Sequence, residues 1–485
     1  MLSPPAIGFL RMHSLPWRPD NSKLRLMHAS ERNSSPIRQS AGLLTALLFC
    51  LLPCAASAQI SLSTAVTMAE KSSPGVRSAV ANMQRAAAAV QEAKDAYIPT
   101  VLFGASPGYA YGFPLGYPSL FKADSGSLLL SFSQPDYIRS ARSAYNAARQ
   151  NLKDEQQQIA LDVALDYLEL NHDIEEIAAL DEEKSYADSL VSLEQDRVQA
   201  GVDPRISELQ AELTAAQVDE KRVHLQNDAD EMRQKLAHLT GLPADGLTAV
   251  STSIPAVPAF NTDPDPQIAQ NSPGVKAAYE NARSKFYQAW GDEKQNYRPL
   301  VTFGAEYSLF EKFANYTQYF PRNFQYNNAA IGAVIQIPFF DATRRARARQ
   351  SIADAISAQA QADQSRDTLS EQALVARRTI LELAAQQRVA QISSQLAQEQ
   401  LNTVNTELTN GTGSPNAAPI SPITAQKAHI DERERYEDLL ETNFSLLKVQ
   451  LSMLRLTGQI VDWVNSSLKQ APRLTGAPLP NAIQP

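Results

Sequence analysis

Two stretches of this chain share one pattern, and that pattern decides the fold. Residues 272–304 begin with Ser-Pro-Gly-Val and end with Tyr-Arg-Pro-Leu-Val-Thr-Phe-Gly. Residues 73–104 begin with Ser-Pro-Gly-Val and end with Tyr-Ile-Pro-Thr-Val-Leu-Phe-Gly. Leu-Thr-Gly closes the first copy at 239–241 and the second at 456–458. The chain therefore contains two copies of one unit with a period of about 200 residues, which is far longer than the repeats of solenoid proteins.

Each unit has the same predicted order of elements: a helix, two strands, a long helix and a second helix. The predicted boundaries are 1–58 for an export signal, 59–241 for the first repeat, 242–266 for a Pro-rich linker, 267–467 for the second repeat and 468–485 for a disordered tail. Within the repeats, the hairpins cover 99–135 and 299–338, and the coiled coils cover 137–241 and 341–467.

The first 58 residues are typical of a secretory signal peptide. Arg38 precedes a short apolar run that ends in small residues, so we expect cleavage after Ala58. Two alternatives stay open: lipidation at Cys54, which a preceding proline disfavours, and a translation start at Met27. Because Cys50 and Cys54 are the only cysteines, the exported chain would have none, which suits an oxidising compartment.

Composition and motifs exclude several classes of function. The net charge of -8 argues against a nucleic-acid binder with a basic surface. Two cysteines are too few for a disulfide scaffold, an iron–sulfur protein or a Cys-ligated zinc site. No phosphate-binding Gly-rich loop, metalloprotease motif or serine-hydrolase motif occurs. We therefore predict no enzyme activity, no cofactor and no metal site, and we expect carboxylates such as those of 431–435 to lie on solvated helix faces.

From residue 137 to residue 199 no Gly or Pro interrupts the chain, and apolar residues recur at spacings of mostly three and four. This pattern predicts a coiled-coil seam formed by Leu152, Ile159, Val163, Tyr167, Leu170, Ile174 and Ile177. A second stripe at Leu161, Leu165 and Leu168 predicts packing on both flanks of the helix. Residues 343–409 repeat the pattern, with Val389, Ile392 and Leu396 in the predicted seam. Each such helix is a rod about 95 Å long.

The hairpin segments alternate between apolar and polar residues. In 301–309 and in 328–338 the odd-numbered residues form an apolar face, and in 127–134 Leu128, Leu130 and Phe132 oppose serines. Strands with one apolar face fit a transmembrane barrel, but the alternation alone favours a soluble sheet packed on a core. After residue 58 no apolar run is long enough for a membrane-spanning helix, so entry into a membrane would require a barrel.

Taken together, these residues resemble the TolC-like outer-membrane efflux proteins of Gram-negative bacteria. The resemblance covers residues 60–465 and rests on the order and spacing of several motifs. They are the duplicated units, Tyr-x-Pro before each first strand, Gln-Ile-Pro-Phe-Phe-Asp at 336–341 followed by Arg344 and Arg345, and the turn Arg197-x-x-x-Gly201.

The resemblance implies a mainly α protein with a transmembrane β-barrel. It implies a homotrimer in which the four strands of each protomer close one 12-stranded barrel in the outer membrane, continued by a periplasmic α-helical tunnel. The function would be that of a passive conduit for substrates delivered by an inner-membrane pump and a periplasmic adaptor protein. The alternative is a periplasmic coiled-coil adaptor without a pore, which would lack the two apolar hairpins.

The resemblance also assigns roles to residues at the far end of the tunnel. The adaptor-docking tip would consist of Arg197, Gly201, Val202, Gly411 and Gly413, and we predict a positive φ at Gly201. Family members commonly have an Asp shortly after each tip turn, where this chain has Ser207 and Thr424. The constriction would then depend on neutral hydroxyls, with Glu208 and Glu212 as the nearest acids, and the loop 411–422 would add a steric plug.

A third group of residues follows the strands. Arginines cluster at the start of both long helices: Arg139, Arg142, Arg344, Arg345 and Arg347. They are either ordinary solvated arginines or a collar that contacts the headgroups of outer-membrane lipids. The sequence leaves both interpretations open.

Overall fold

A computed structural model describes residues 58–107, 119–258, 268–310, 325–410 and 421–470. The predicted signal up to residue 57 and the predicted tail from residue 471 onward lie outside these ranges. Within them the chain is mainly helical, with six strands in two sheets.

The elements follow the same order in both halves of the chain. The first unit contains β1 (Ala58–Ile60), α1 (Leu62–Ser72), α2 (Pro74–Asp95), β2 (Thr100–Ser106), β3 (Ser119–Ser131), α3 (Gln134–Gln199) and α4 (Arg205–Thr240). The connecting segment holds β4 (Leu247–Ala249) and a short 3-10 turn (Ser251–Ser253). The second unit contains α5 (Ile268–Asn271), α6 (Pro273–Gln295), β5 (Leu300–Phe310), β6 (Asn327–Gln336), α7 (Ala342–Asn410), α8 (Pro422–Thr457) and α9 (Ile460–Gln470).

Equivalent helices of the two units have nearly equal lengths. α3 and α7 contain 66 and 69 residues, and α4 and α8 contain 36 each. At 1.5 Å per residue the long helices extend about 100 Å. α4 and α8 both end at the glycine of Leu-Thr-Gly, where φ is 77° at Gly241 and 74° at Gly458.

Helix α3 is the centre of the helical layer. It packs against α2 and α4 of its own unit and against α6 and α8 of the other unit. In the predicted seam, Ile159, Val163, Tyr167 and Leu170 are buried, while Leu152, Ile174 and Ile177 pack against the same cluster. The prediction that this helix is packed on both flanks is therefore confirmed.

Helix α7 is packed on one side only. Its buried residues are small: Ala348, Ser351, Ala355, Ala358, Ala362, Ala373 and Ala397. Val389, Ile392 and Leu396 are 66%, 50% and 57% exposed, so the seam predicted for them does not form within the protomer. Heptad spacing identifies an apolar face but does not identify which chain covers it.

The four long strands form one antiparallel sheet in the order β2-β3-β5-β6. In the part of the chain that the structure describes, β2 and β6 each pair with a strand on one side only. Residues directly opposite each other in an antiparallel pair share a face. The odd-numbered residues of β5 therefore share the apolar face with Ile331 and Ile335 of β6 and with Phe103 of β2.

One predicted alternation is wrong. Leu128 pairs with Thr302, and Leu130 pairs with Val301, so these two leucines lie on opposite faces. A bulge at Leu129 adds one residue between them and shifts the side-chain pattern. Simple period-two alternation, which places Leu128 and Leu130 together, does not anticipate a bulge.

The predicted linker 242–266 contains regular structure in its first half. β4 pairs in parallel with β1, and the side chain of Tyr167 joins this pair to the helices. The Tyr167 hydroxyl donates to the Ile60 carbonyl at 2.7 Å and accepts from the Val250 N–H at 2.6 Å. None of the helices in the described ranges has both the length and the apolar composition needed to cross a bilayer.

We expect Tyr167→Phe to destabilise the protein because it leaves the half-buried Val250 N–H without its acceptor. The cost should be about 1–3 kcal/mol, seen as a lower midpoint of thermal unfolding of the purified protein. Tyr186→Phe is the matched control, since Tyr186 stacks on His429 and its hydroxyl makes no hydrogen bond within the described residues. Equal midpoints for both variants would contradict the structural role of the Tyr167 hydroxyl.

Candidate functional site

The turn after α3 is a tight helix end closed by backbone hydrogen bonds. The Gly201 N–H donates to the Val198 carbonyl at 3.0 Å, and the Val202 N–H donates to the Arg197 carbonyl at 2.9 Å. This pair of bonds defines a Schellman motif, whose residue after the helix must be left-handed. Gly201 has a φ of 73°, so the positive φ predicted for it is confirmed.

The side chain of Arg197 stabilises the same turn. Its guanidinium donates twice to Asp203, with Nε to Oδ2 at 2.5 Å and a second bond at 3.1 Å. The hydrogen bond from Arg197 lowers the pKa of Asp203, so the carboxylate stays ionised at neutral pH. A bidentate pair of this kind fixes the geometry of the turn more than it adds stability, because both side chains are accessible to water.

Apolar side chains project from the turn and from the start of α4. Val202, Ile206, Leu209 and Leu213 are between 51% and 62% exposed. Ile206, Leu209 and Leu213 follow helical spacing, so they form one uncovered stripe. Nearby, Ala187, Leu190, Ala211 and Ile430 form a small core that ties α4 and α8 to α3.

The predicted constriction residues are not brought into contact within one protomer. Ser207 and Glu208 are half-buried, whereas Glu212 and Thr424 are exposed. The backbone N–H of Ser207 donates to Pro204, and that of Thr424 donates to Ser421, as in ordinary first helical turns. Gly411, Gly413 and the predicted plug as far as residue 420 lie outside the described residues.

At the base of the sheet, the first arginine of each cluster pairs with an acid three residues earlier. Arg139 lies 3.1 Å from Asp136, and Arg344 lies 3.1 Å from Asp341. Asp136 also accepts from Lys294 of α6 at 2.5 Å, and this carboxylate is buried. The two units thus share the motif Asp-x-x-Arg at the start of their long helices.

The other arginines of the predicted collar have no carboxylate partner among the described residues. Arg142 and Arg347 are exposed, and the guanidinium of Arg345 lies 4.9 Å from the centre of the Phe340 ring. The neighbouring Phe339 is 97% exposed. The contact of these arginines with lipid headgroups stays a prediction.

Sequence reasoning missed a group of buried acids between the helices. Glu183 of α3 and Glu437 of α8 are buried next to each other, and Lys221 of α4 lies 3.9 Å from Glu437. Burial, followed by the hydrogen bond with Glu183, raises the pKa of Glu437 to about 8. Burial likewise raises the pKa of Asp173 to about 7.

The expectation that the acids of 431–435 lie on a solvated face is wrong for Glu432, which is 9% exposed. Asp431 and Arg435 do form the expected i,i+4 ion pair at 3.7 Å. His172 is also buried, with Nε2 3.1 Å from Glu176 and 3.2 Å from Glu441. Burial alone would lower the pKa of His172, but the hydrogen bond and charge of Glu176 raise it. No metal-binding group of three or more such side chains occurs in the described ranges.

Residues 65–242 match the sequence model of the family described as outer membrane efflux protein. The predicted resemblance is therefore confirmed, and the description of the family agrees with the predicted location in the outer membrane. No curated protein sequence matches the chain.

Solved outer-membrane proteins share the fold. VceC of Vibrio cholerae is 17% identical, with 82% of this chain and 96% of that chain covered and a TM-score of 0.63. The CmeC channel of Campylobacter jejuni is 15% identical, with coverages of 82% and 85% and a TM-score of 0.64. The MtrE channel of Neisseria gonorrhoeae is 14% identical, with coverages of 82% and 89% and a TM-score of 0.65. These likenesses establish the fold, and the efflux family that residues 65–242 match is consistent with the predicted lack of catalysis.

The Glu183–Glu437 pair predicts that stability falls as pH rises. The native state holds a proton on Glu437 up to pH of about 8, whereas the unfolded chain releases it at a pKa of about 4.3. The stabilisation is therefore complete below the unfolded pKa and is lost as pH rises through the folded pKa.

We expect Glu437→Gln to raise the midpoint of thermal unfolding at pH 9 and to flatten its decline between pH 6 and 9. Some slope should remain because Asp173 titrates in the same direction. Asp438→Asn, which changes an exposed ion pair with Arg435, is the control and should keep the full slope. An unchanged slope in Glu437→Gln would show that this proton is not held in the native state.

Proposed function

We propose that this protein is the outer-membrane channel of a tripartite efflux system. In this proposal it is a homotrimer and a passive conduit, to which a periplasmic adaptor and an inner-membrane pump deliver substrates. The proposal rests on the observation that two flanks of the protomer are not covered by other described residues. One flank consists of α2, α4 and the edge of β2, and the other consists of α7 and the edge of β6.

The sheet edges require partners. An edge strand in a membrane leaves backbone N–H and C=O groups without hydrogen bonds, at a cost of several kcal/mol for each group. We therefore expect β6 of one protomer to pair with β2 of the next protomer. Three sheets of four strands then give a closed barrel of twelve, the number that the family resemblance implies.

The helical flanks also require partners. Exposed apolar side chains on α7 include Ile352, Ile356, Val389, Ile392 and Leu396, and those on α4 include Ile206, Leu209 and Leu213. The two flanks differ, so their contact is heterologous and repeats around a ring. A ring of such rods encloses the periplasmic tunnel of the proposal.

The internal duplication supplies a template for the contact between protomers. Within one protomer, the long helix of the first unit packs against both shorter helices of the second, and β3 pairs with β5. The same relation applied to the second unit packs α7 against α2 and α4 of the next protomer and pairs β6 with its β2. The packing between the two units of one chain is therefore the template that we use for the packing between two chains.

This template identifies one ion pair between protomers. Lys294 precedes Tyr297 by three residues and binds Asp136. Lys94 precedes Tyr97 by three residues, and Asp341 is the counterpart of Asp136 in Asp-x-x-Arg. Lys94 is exposed and has no acidic partner among the described residues. We therefore expect Lys94 to pair with Asp341 of the neighbouring protomer.

A zero-length carbodiimide crosslinker tests this contact because it joins a lysine directly to a carboxylate that it touches. In purified trimer, mass spectrometry should find Lys94 joined to Asp341, and gels should show covalently linked dimers and trimers. The Lys294–Asp136 crosslink within the protomer is the positive control. Lys94→Gln should abolish the Lys94 link and keep the control link. Recovery of the control link alone, or a monomer free of the outer membrane, would refute the arrangement and favour a periplasmic adaptor.

The turn after α3 is proposed as the docking tip for the adaptor. The exposed Val202 and the stripe behind it offer an apolar contact, and the Arg197–Asp203 pair holds the turn in shape. The arginine and aromatic side chains at the base of the sheet would lie at the opposite end of the tunnel, in contact with lipid headgroups.

We expect Gly201→Trp to impair efflux while trimer assembly and membrane insertion stay intact. A Cβ at Gly201 meets no atom within 4 Å, so the substitution costs little beyond the backbone strain of a positive φ, about 1 kcal/mol. Gly201→Asn is the control, because Asn tolerates this conformation and adds less bulk. Efflux of a reporter dye from intact cells is the measurement. Wild-type efflux by Gly201→Trp would remove the turn from the docking surface.

A further inference from the structure

A cavity of about 320 Å³ lies at the base of the sheet, where β5 begins and β6 ends. Three cationic side chains line it: Lys294 near the end of α6, Arg298 two residues before β5, and Arg344 in the first turn of α7. Among the described residues that line the cavity, Asp341 is the one acid. The lining therefore carries more positive than negative charge, which favours an anionic ligand.

Two of the three cations are already paired with acids. Lys294 binds the buried Asp136, and the Arg344 Nε lies 3.1 Å from an oxygen of Asp341. Arg298 differs from both, because it is exposed and no carboxylate lies within ion-pair distance of it in the described ranges. Its charge is therefore the one that a ligand can neutralise.

Arg298 is held by aromatic rings instead. Its guanidinium carbon lies 5.6 Å from the centre of the Phe132 ring and 5.4 Å from the centre of the Tyr297 ring. Contacts with ring faces do not use the N–H donors of a guanidinium. The fork of Arg298, whose geometry matches two oxygens of a phosphate, is therefore held in place with its donors available.

The position of Phe132 places this arginine on the apolar side of the sheet. Leu130 lies on the apolar face, since it pairs with Val301. Phe132 comes two residues later, is exposed, and lies between the buried Ser131 and Ser133, so it continues the same face. In the proposed channel this face contacts lipid. The guanidinium beside Phe132 then lies where the lipid-facing surface ends, at the level of the headgroups.

Large apolar side chains adjoin the cations in the same cavity. Ile337, Phe339 and Phe340 line it and are 72%, 97% and 70% exposed. Contact between such side chains and water is unfavourable, and a free phosphate ion would not cover them. A ligand that has both a phosphate group and hydrocarbon chains suits the arginine and the apolar side chains together. An acidic phospholipid has both parts.

We propose that this cavity binds the phosphate group of an acidic phospholipid through Arg298, while Phe339 contacts the acyl chains. The inference rests on the proposed channel, which places these strand ends at the periplasmic boundary of the membrane. There, Lys94 of the neighbouring protomer pairs with Asp341 and adds to the positive charge. Arg298 is not one of the five arginines predicted as a collar, and Ile98 holds the equivalent place in the first unit. The trimer therefore has three such sites.

The test uses Phe339→Trp as a local reporter of the lipids at the cavity. The purified trimer is inserted into vesicles that contain phosphatidylcholine and phosphatidylglycerol in equal amounts, and the acyl chains of one lipid or the other carry bromine, which quenches tryptophan fluorescence. Phosphatidylglycerol should be about fivefold enriched beside the reporter at 0.15 M salt. The enrichment should fall at 1 M salt, where the Debye length is about 3 Å. The emission of Trp290 and Trp463 is subtracted with protein that keeps Phe339.

Charge variants in the reporter background identify the source of the enrichment. Arg298→Gln should remove most of it, and Arg298→Lys, which keeps the charge but not the fork, should retain about twofold. Arg347→Gln is the matched control, because Arg347 is an exposed arginine near the start of α7 that does not line the cavity. This control should keep the fivefold enrichment.

Each other outcome overturns a definite statement. Equal losses in Arg298→Gln and Arg347→Gln would mean that general surface charge attracts the lipid, and would refute a site at Arg298. Loss of the enrichment when inorganic phosphate replaces chloride at equal ionic strength would assign the cavity to free phosphate. Equal quenching by both lipids in an inserted trimer would refute the lipid site and leave the channel in place. An unmodified chain that does not insert into vesicles would overturn the proposed channel, and the inference with it.

Discussion

The unpaired edges of β2 and β6 are the constraint on which the rest of the architecture depends. Four strands give the sheet one apolar and one polar face, but the outer edges of β2 and β6 have no strand partner among the described residues. In water such edges invite aggregation, and in lipid they are prohibitively costly. In the proposed trimer, copies of the same chain pair with both edges. The helices that continue from the closed sheets then lie side by side in a ring.

The packing of the helices indicates the same need for a partner chain. α3 lies between neighbours and buries large residues of both of its stripes, such as Tyr167 and Leu168. α7 packs against its own chain through six alanines and one serine, which allow close approach, and its larger apolar residues such as Val389 and Leu396 are exposed. An exposed apolar stripe on a helix is normally covered by a neighbour, and in the proposed trimer that neighbour is the next protomer. The sheet edge and the helix flank therefore both require a partner chain to cover them.

Much of this could be predicted from the sequence, and the failures have physical causes. The duplication, the long helices and the seam of α3 follow from local spacing, which the structure preserves. The sequence did not show which surface covers Val389 and Ile392, because periodicity identifies an apolar face but not its partner. The bulge at Leu129 reversed the expected face of Leu128, since one added residue changes a period-two pattern. The burial of Glu183 and Glu437 was missed because acids between packed helices look the same in sequence as acids on a solvated face.

The two copies of Asp-x-x-Arg differ in how much of each aspartate is covered by neighbouring residues. Asp136 and Asp341 hold equivalent places at the start of the two long helices, and each binds the arginine three residues later. The side chain of Asp136 is 1% exposed because α6 covers it with Lys294, whereas that of Asp341 is 40% exposed. Asp136 and Asp341 have equivalent local structure, and they differ in the residues that lie next to them. In the proposed trimer, the next protomer covers Asp341, and the duplicated sequence indicates which residue it brings: Lys94, which lies three residues before Tyr97 as Lys294 lies three residues before Tyr297.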